Sequence, residues 1–502
     1  MPNSAPAART TTSRTTAART RAARRAPRPP SPAQHATPVK GKVSSGIAGL
    51  DLVLGGGLPQ GRVTIISGGP GSGKSTMGLQ CLLRGATDGH PGILVMFEER
   101  AETVRQDALA RGWDLARLER QQSLFLLEAR LAPDMVSAGD FSIMGLLAIL
   151  DQRITAMGAT HIVLDAVDAL LHLYNNPTRE RQELYALHEW LRDRKMTAIL
   201  TAKAVQHEEA PSRYAFLDFM ADCVIHVDQR VTAQIATRRL RVTKYRGSGY
   251  GRNEYPFIIN EDGVSIVPMT SNVLAHRAPG RRVSTGTPWL DTALGGGYRR
   301  GTSLMVTGTA GAGKTTLAGY LAVAASLRGE RVLYFSFEES PEALCSNLRS
   351  TGAILPPHIA SGAVTIRAYL PEAMGVEEHL YHSLADLDLL HPAVVVVDAI
   401  SACARMGSTQ AAFEYLMRIQ NACKERGITC VYLNQSAGND VPDDTNAFGI
   451  GSLIDTTILL RHQLVENAMV RQLIVVKARG STHSERSLPF RITRRGLEHG
   501  SV

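Results

Sequence analysis

Apolar residues along this chain gather in short, β-branched runs separated by stretches of helical length. Ile93 to Phe97, Ile162 to Leu164, Ala198 to Thr201 and Leu240 to Thr243 read as strands of this kind. Val394-Val395-Val396-Val397 is apolar at every position rather than at alternate ones, the pattern of a strand buried on both faces. Such strands alternating with helical segments predict an α/β architecture in which a mainly parallel twisted sheet carries helices on both faces.

The pattern is written twice. Val63 to Ser67 runs into Gly68-Gly69-Pro70-Gly71-Ser72-Gly73-Lys74-Ser75, and Leu304 to Thr307 into Gly308-Thr309-Ala310-Gly311-Ala312-Gly313-Lys314-Thr315. Both fit G-x-x-x-x-G-K-[ST] between a strand and a helix, the setting a phosphate-binding loop needs. A shift of 240 residues carries Lys74 onto Lys314, Gly46, Asp51 and Gly55 to Gly57 onto Gly286, Asp291 and Gly295 to Gly297, and Phe97-Glu98-Glu99 onto Phe337-Glu338-Glu339. A shift of 233 then carries the strand ending at Asp165 onto Val394 to Asp398, and Lys244-Tyr245-Arg246-Gly247 onto Lys477-Ala478-Arg479-Gly480. Copies this long each have room for a core, so the repeat predicts two domains rather than a solenoid. The first is expected at residues 43–268 and the second at 283–502, joined by a polar Pro-Gly linker at 269–282.

Charge changes the picture only at the start of the chain. The formal excess of +9 lies in residues 1–42, which hold seven Arg, two Lys and no acid, whereas the remaining 46 basic and 46 acidic residues cancel. This Ala/Arg/Thr/Pro segment has almost nothing to bury and is expected to be disordered. It reads as a solvated extension, a transit peptide, or an arm for nucleic acid or membrane. No run of 18 apolar residues predicts a membrane span. The six cysteines form no C-x-x-C pair, which suits a reducing, cytoplasmic setting with structural thiols.

Each copy holds a full set of groups for phosphate chemistry. Gly68, Gly69, Gly71, Ser72 and Gly73, and Gly308, Thr309, Gly311, Ala312 and Gly313, would bring backbone N–H groups to the phosphates, with Lys74 or Lys314 on the outer ones. Ser75 and Thr315 offer hydroxyls to Mg²⁺, and Thr76 and Thr316 follow them within the same ATP site. Asp165 and Asp398 end apolar strands, where a carboxylate holds a metal or caps a helix. Glu98, Glu99, Glu338 and Glu339 stand 24 or 25 residues beyond the P-loop lysines. They could activate a water or hydroxyl nucleophile, or simply favour a helix N-terminus. Lys244 and Arg246, and Lys477 and Arg479, are surface cations or a clamp on a triphosphate, of the kind a neighbouring subunit supplies. Trp113 and Thr351 are candidates for flanking the base, with a core role the alternative for Trp113.

This constellation resembles the KaiC family of RecA-like ATPases, the core proteins of the cyanobacterial circadian clock and their bacterial relatives. The match covers nearly all of the chain after residue 42 and includes Glu254-Tyr255-Pro256-Phe257. The resemblance implies two tandem RecA-like P-loop NTPase domains and a homohexameric double ring with ATP at subunit interfaces. In that family the first domain hydrolyses ATP slowly and the second carries autokinase and autophosphatase activity. The family has adjacent Ser and Thr acceptors before a strand of the type Asp-Thr-x-Ile-Leu-Leu. This chain has Gly451 and Ser452 there, so Ser452 is the acceptor the resemblance leaves. Only 22 residues follow Gly480, and stimulation through a long C-terminal tail is not expected. The resemblance thus leads to a Mg²⁺- and ATP-dependent ring enzyme with serine autokinase activity, with a nucleotide-gated scaffold for a signalling partner as an alternative. A RecA-like DNA-repair ATPase is the competing reading, supported by the sensor-like pair Asn434-Gln435 and by the basic segment.

Overall fold

The computed structural model describes residues 40–129, 143–171, 174, 176–203, 215–232, 235–267, 276–436, 444–465 and 468–500. The basic segment up to residue 39 and residues 269–275 of the expected linker lie outside the described residues.

Among these residues the chain builds two nine-stranded sheets. The first contains β1 (Val63–Gly68), β2 (Gly92–Met96), β3 (Leu124–Glu128), β4 (His161–Asp165), β5 (Thr197–Lys203), β6 (Cys223–Thr232), β7 (Ile235–Tyr245), β8 (Glu254–Asn260) and β9 (Gly263–Ile266). Their order is β9-β8-β7-β6-β1-β5-β4-β2-β3, parallel from β6 to β3 and antiparallel from β6 to β9. The second contains β10 (Ser303–Gly308), β11 (Val332–Ser336), β12 (Val364–Ala368), β13 (Val394–Asp398), β14 (Thr429–Gln435), β15 (Thr456–Val465), β16 (Ala468–Ala478), β17 (Leu488–Thr493) and β18 (Gly496–His499). Its order, β12-β11-β13-β14-β10-β15-β16-β17-β18, repeats the first. The expected α/β fold is therefore present in both halves.

Alternation across each strand explains the two-sided burial. Ile66 packs into one apolar layer and Val63 and Ile65 into the other; Val394 and Val396 face one layer, Val395 and Val397 the opposite one. Burying each such valine contributes about 1.5–3 kcal/mol, which is why these strands read as unbroken apolar runs. Helices fill both layers, among them α1 (Lys74–Thr87), α2 (Ala101–Ala110), α3 (Ile143–Met157), α4 (Pro177–Asp193) and α5 (Ala215–Met220) in the first half. The counterparts of the first four are α6 (Lys314–Leu327), α7 (Pro341–Ser350), α8 (Val376–Leu390) and α9 (Thr409–Arg426).

The repeated Gly/Asp motif ahead of each P-loop is structural. Buried Asp51 accepts from Ser44 Oγ at 2.7 Å and from Ser45 N at 2.9 Å, and Asp291 from Ser284 Oγ at 2.5 Å and Thr285 N at 2.7 Å. Gly57 and Gly297 have φ of 120° and 93°, and a Cβ on either would strike the carbonyl of Val43 or Val283, so glycine is required there. The two halves meet where Arg239 on β7 pairs with buried Glu377 on α8 at 2.7 Å.

Candidate active sites

Each P-loop leaves the C-terminal edge of its central strand and turns directly into a helix. Gly71 and Gly73 have φ of 70° and 96°, Gly311 and Gly313 of 74° and 102°; this left-handed backbone suits glycine. A Cβ on Gly73 would lie 2.6 Å from Ile259 Cδ1, and one on Gly313 2.7 Å from Ile492 Cδ1. The β8–β9 and β17–β18 hairpins thus close over the loops. Lys74 Nζ donates to the carbonyls of Gly68 and Gly69 at 2.9 and 2.8 Å, and Lys314 Nζ to those of Gly308 and Thr309 at 2.8 and 2.9 Å. Burial lowers both ammonium pKa values, opposed by Asp168 and Asp165 at Lys74 and by Asp398 and Glu338 at Lys314. Ser72 Oγ closes its loop onto Gly69 O at 2.7 Å, while Ala312 is buried.

The strand-end aspartates stand beside the P-loop hydroxyls. Thr315 Oγ1 donates to Asp398 Oδ2 at 3.0 Å, and Ser75 bonds Asp165. Burial raises both carboxyls, Asp398 to about 6, against the hydrogen bonds they accept. Their further partners differ. Thr201 Oγ1 donates to Asp165 at 2.6 Å, whereas buried Tyr334 donates its hydroxyl to Asp398 Oδ2 at 2.6 Å.

Glu98, Glu99, Glu338 and Glu339 lie just past β2 and β11, at the same sheet edge as the P-loops and ahead of α2 and α7. Lys203, the last residue of β5, donates to Glu98 Oε1 at 2.7 Å. Its Nζ is 3.9 Å from Asp168 Oδ2, and its backbone N–H donates to Asp168 Oδ1 at 3.0 Å. Glu99 has its pKa raised by burial first, then by Asp165, Asp107 and Glu98. In the second half Glu339 Oε2 instead accepts from Asn347 Nδ2 at 3.2 Å, Asn347 standing where the first half has Asp107.

The paired cations occupy the opposite edge. Lys244 is level with Val224 and Ile65, about 10 Å along the strand from Gly68 and about 10 Å across two ladders. Its Nζ donates to the carbonyls of Asp218 and Phe219 at 2.6 and 3.0 Å, and Arg246 Nη2 to that of Phe219 at 2.9 Å. Lys477 Nζ donates to Gly451 O at 3.3 Å and Arg479 Nη2 to Ser452 O at 2.5 Å. Arg246 and Arg479 fall just beyond the strand ends at Tyr245 and Ala478, yet each reaches the same short helix as its lysine. Ser452 is exposed at this far edge, so one chain does not bring it to Glu338 or Glu339.

Trp113 packs against the first core beside Gly263. The carbonyl of Thr351 accepts from Tyr320 OH at 2.9 Å. Asn434 Nδ2 donates to Thr307 Oγ1 at 3.2 Å within the second core, and Gln435 stands beside Gly308. Lys203, Asp168, Thr201 and Tyr334 were not singled out from the sequence. Comparison of the copies could have found Lys203, because the matching strand end carries Gln435.

Two sheets of this order, each with a P-loop on its central strand, define a tandem P-loop ATPase. A family model described as "ATPase: KaiC" matches residues 43–271 and 283–500. The chain is 37% identical over 462 residues to the circadian clock protein KaiC2 of Synechocystis sp., covering 91% of this chain and 81% of the relative. It is 32% identical over 470 residues to the circadian clock oscillator protein KaiC of Thermostichus vulcanus, covering 93% and 90%. For the protein of that name from Acaryochloris marina the values are 30% over 459 residues, 91% and 88%. The chain belongs to the KaiC family of ATPases, and it is a nucleotide-binding enzyme. Among the described residues no helix is long and apolar enough to cross a membrane.

Proposed function

We propose that the protein is a cytoplasmic homohexameric ring ATPase whose ATP sites lie between subunits, with serine autokinase activity at Ser452 and a clock-like regulatory role. The observation that carries this reading is that P-loop and Lys-x-Arg pair stand at opposite edges of one sheet, in both halves. A chain cannot close its own cations over its own ATP, but a neighbour in a ring can. The chain would divide at 43–268, 269–282 and 283–502.

The residues present fit Mg²⁺. The described residues hold no cluster of three or more His, Cys, Asp or Glu side chains for a metal, and a hydroxyl with one carboxylate leaves room for water and phosphate oxygens, as Mg²⁺ prefers. Ser75 with Asp165, and Thr315 with Asp398, would hold the ion, which when bound neutralises charge on the triphosphate. Glu98 or Glu99 would take a proton from the attacking water. Glu338 or Glu339 of one subunit would take the proton of Ser452 presented by the next, since Ser452 shares its edge with Arg479. Lys244 and Arg246, or Lys477 and Arg479, would stabilise the transferred phosphoryl from across the interface.

Native mass with and without ATP, read together with intact phosphoprotein mass, tests this. The reading expects six copies with ATP, fewer without, and one added phosphate that Ser452→Ala abolishes. A monomer turning over ATP would overturn the ring, and label retained in Ser452→Ala would overturn the acceptor. The RecA-like alternative expects DNA binding that survives removal of residues 1–42.

A further inference from the structure

Lys203 places a second ammonium beside the first P-loop, at a strand position where the second half carries Gln435. Strand register sets Lys203 directly beside Gly68, the first residue of the P-loop. Lys203 and Lys74 lie close enough for the charge of one to lower the pKa of the other. At the matching place in the second half, Gln435 stands beside Gly308. The anchor changes as well. Asp168, three residues after Asp165, orders the end of β5 through the Lys203 N–H, while three residues after Asp398 the second half has Ser401. Both members of a charged pair are therefore replaced together by neutral residues. At the tip of this pair the Lys203 ammonium holds Glu98, one of the carboxylates expected to activate water, in an ion pair with both side chains about half exposed.

We propose that Lys203 is a γ-phosphate-responsive catalytic residue particular to the first domain, exchanging its bond to Glu98 for one to the terminal phosphate of ATP. The proposal rests on the reading of the P-loop and Glu pair given above. Before ATP binds, Lys203 neutralises Glu98. The γ-phosphate of ATP carries more charge than a single carboxylate and lies toward the strand edge that β1 and β5 share, so it draws the ammonium away. Glu98 is then free to accept. Water attacks the γ-phosphorus, its proton passes to the Glu pair, the bond to the β,γ-bridging oxygen breaks, and the electron pair leaves on ADP. Lys203 neither gains nor loses a proton. ADP has no γ-phosphate, so the Lys203–Glu98 pair re-forms after phosphate departs, and the lysine distinguishes triphosphate from diphosphate.

The test uses the full chain with Lys314→Ala, so that binding reports the first domain, and compares ATPγS with ADP. Lys203→Gln, which installs the residue of the second half, is expected to weaken ATPγS by about 10- to 100-fold relative to ADP and to lower kcat. Lys203→Arg should keep the preference. Glu98→Gln removes the rival acceptor and should raise the preference for ATPγS. An unchanged ratio in Lys203→Gln, or equal weakening of both nucleotides, overturns the proposal, as does an unchanged ratio in Glu98→Gln. Lys74→Ala is the control for the underlying reading. If it binds nucleotide as its parent does, that reading fails; if it loses both nucleotides while Lys203→Gln behaves as its parent, only the exchange fails.

Discussion

In the first half of the molecule the Glu pair after the second strand is met by an ammonium, Lys203 to Glu98 at 2.7 Å; in the second half Gln435 occupies that strand end, and it is Glu339, the counterpart of Glu99, that is met by an amide, Asn347, at 3.2 Å. The strand-end aspartates diverge similarly, Asp165 being held by Thr201 and Asp398 by Tyr334. Loop, lysine, hydroxyl, aspartate, Glu pair and cationic pair are common to both. The duplication thus keeps the loop, its lysine and hydroxyl, the strand-end aspartate and the Glu pair, and varies the side chains that meet those carboxylates.

The largest effect that would break this comparison is expected from the cations. Lys244→Ala with Arg246→Ala should lower first-domain turnover on the order of 10³-fold if they act as a finger on the phosphoryl, leaving the proposed phosphorylation of Ser452 intact; Lys477→Ala with Arg479→Ala should do the reverse. Steady-state ATPase and phosphoprotein mass read the two separately. Next come the loop lysines. Lys74→Ala and Lys314→Ala should each cost about 10²- to 10³-fold in kcat/KM at their own site, and equal losses at both sites from either change would deny the division.

Smaller effects sharpen the contrast. Tyr334→Phe removes a buried hydrogen bond to a carboxylate and should destabilise the second domain by about 1.5–3 kcal/mol, and Thr201→Val the first by a similar amount, as followed by urea unfolding. The smallest is electrostatic. Asp107→Asn takes a like charge from Glu99, whose pKa is raised, so Glu99 should ionise at lower pH and the acid limb of first-domain activity should move down. Asn347→Asp should move the second-domain limb up. Shifts of the opposite sign would show that the Glu pair does not set those limbs.

Most of the fold was legible because the patterns that specify it are local. Val394 to Val397 names a strand buried on both faces without help from elsewhere, and a lysine after a glycine-rich turn names the P-loop. The cationic pairs were legible as residues but not as positions, since only the antiparallel register of Lys244 against Val224 puts them at the far edge. Tyr334 was hidden because an aromatic in an apolar strand looks like core, and its hydroxyl partner lies 64 residues away. Lys203 was hidden because β5 becomes the neighbour of β1 only in the sheet.

The central claim is that each ATP is completed by the next subunit, and mixing tests it most directly. A Lys74→Ala, Lys314→Ala protein and a Lys244→Ala, Arg246→Ala, Lys477→Ala, Arg479→Ala protein are each expected to be inactive alone. Mixed in the presence of ATP, they should regain ATPase activity, because some interfaces then pair an intact loop with intact cations. Mixed rings of native mass that stay inactive, or a cation-free protein that is fully active alone, would contradict it.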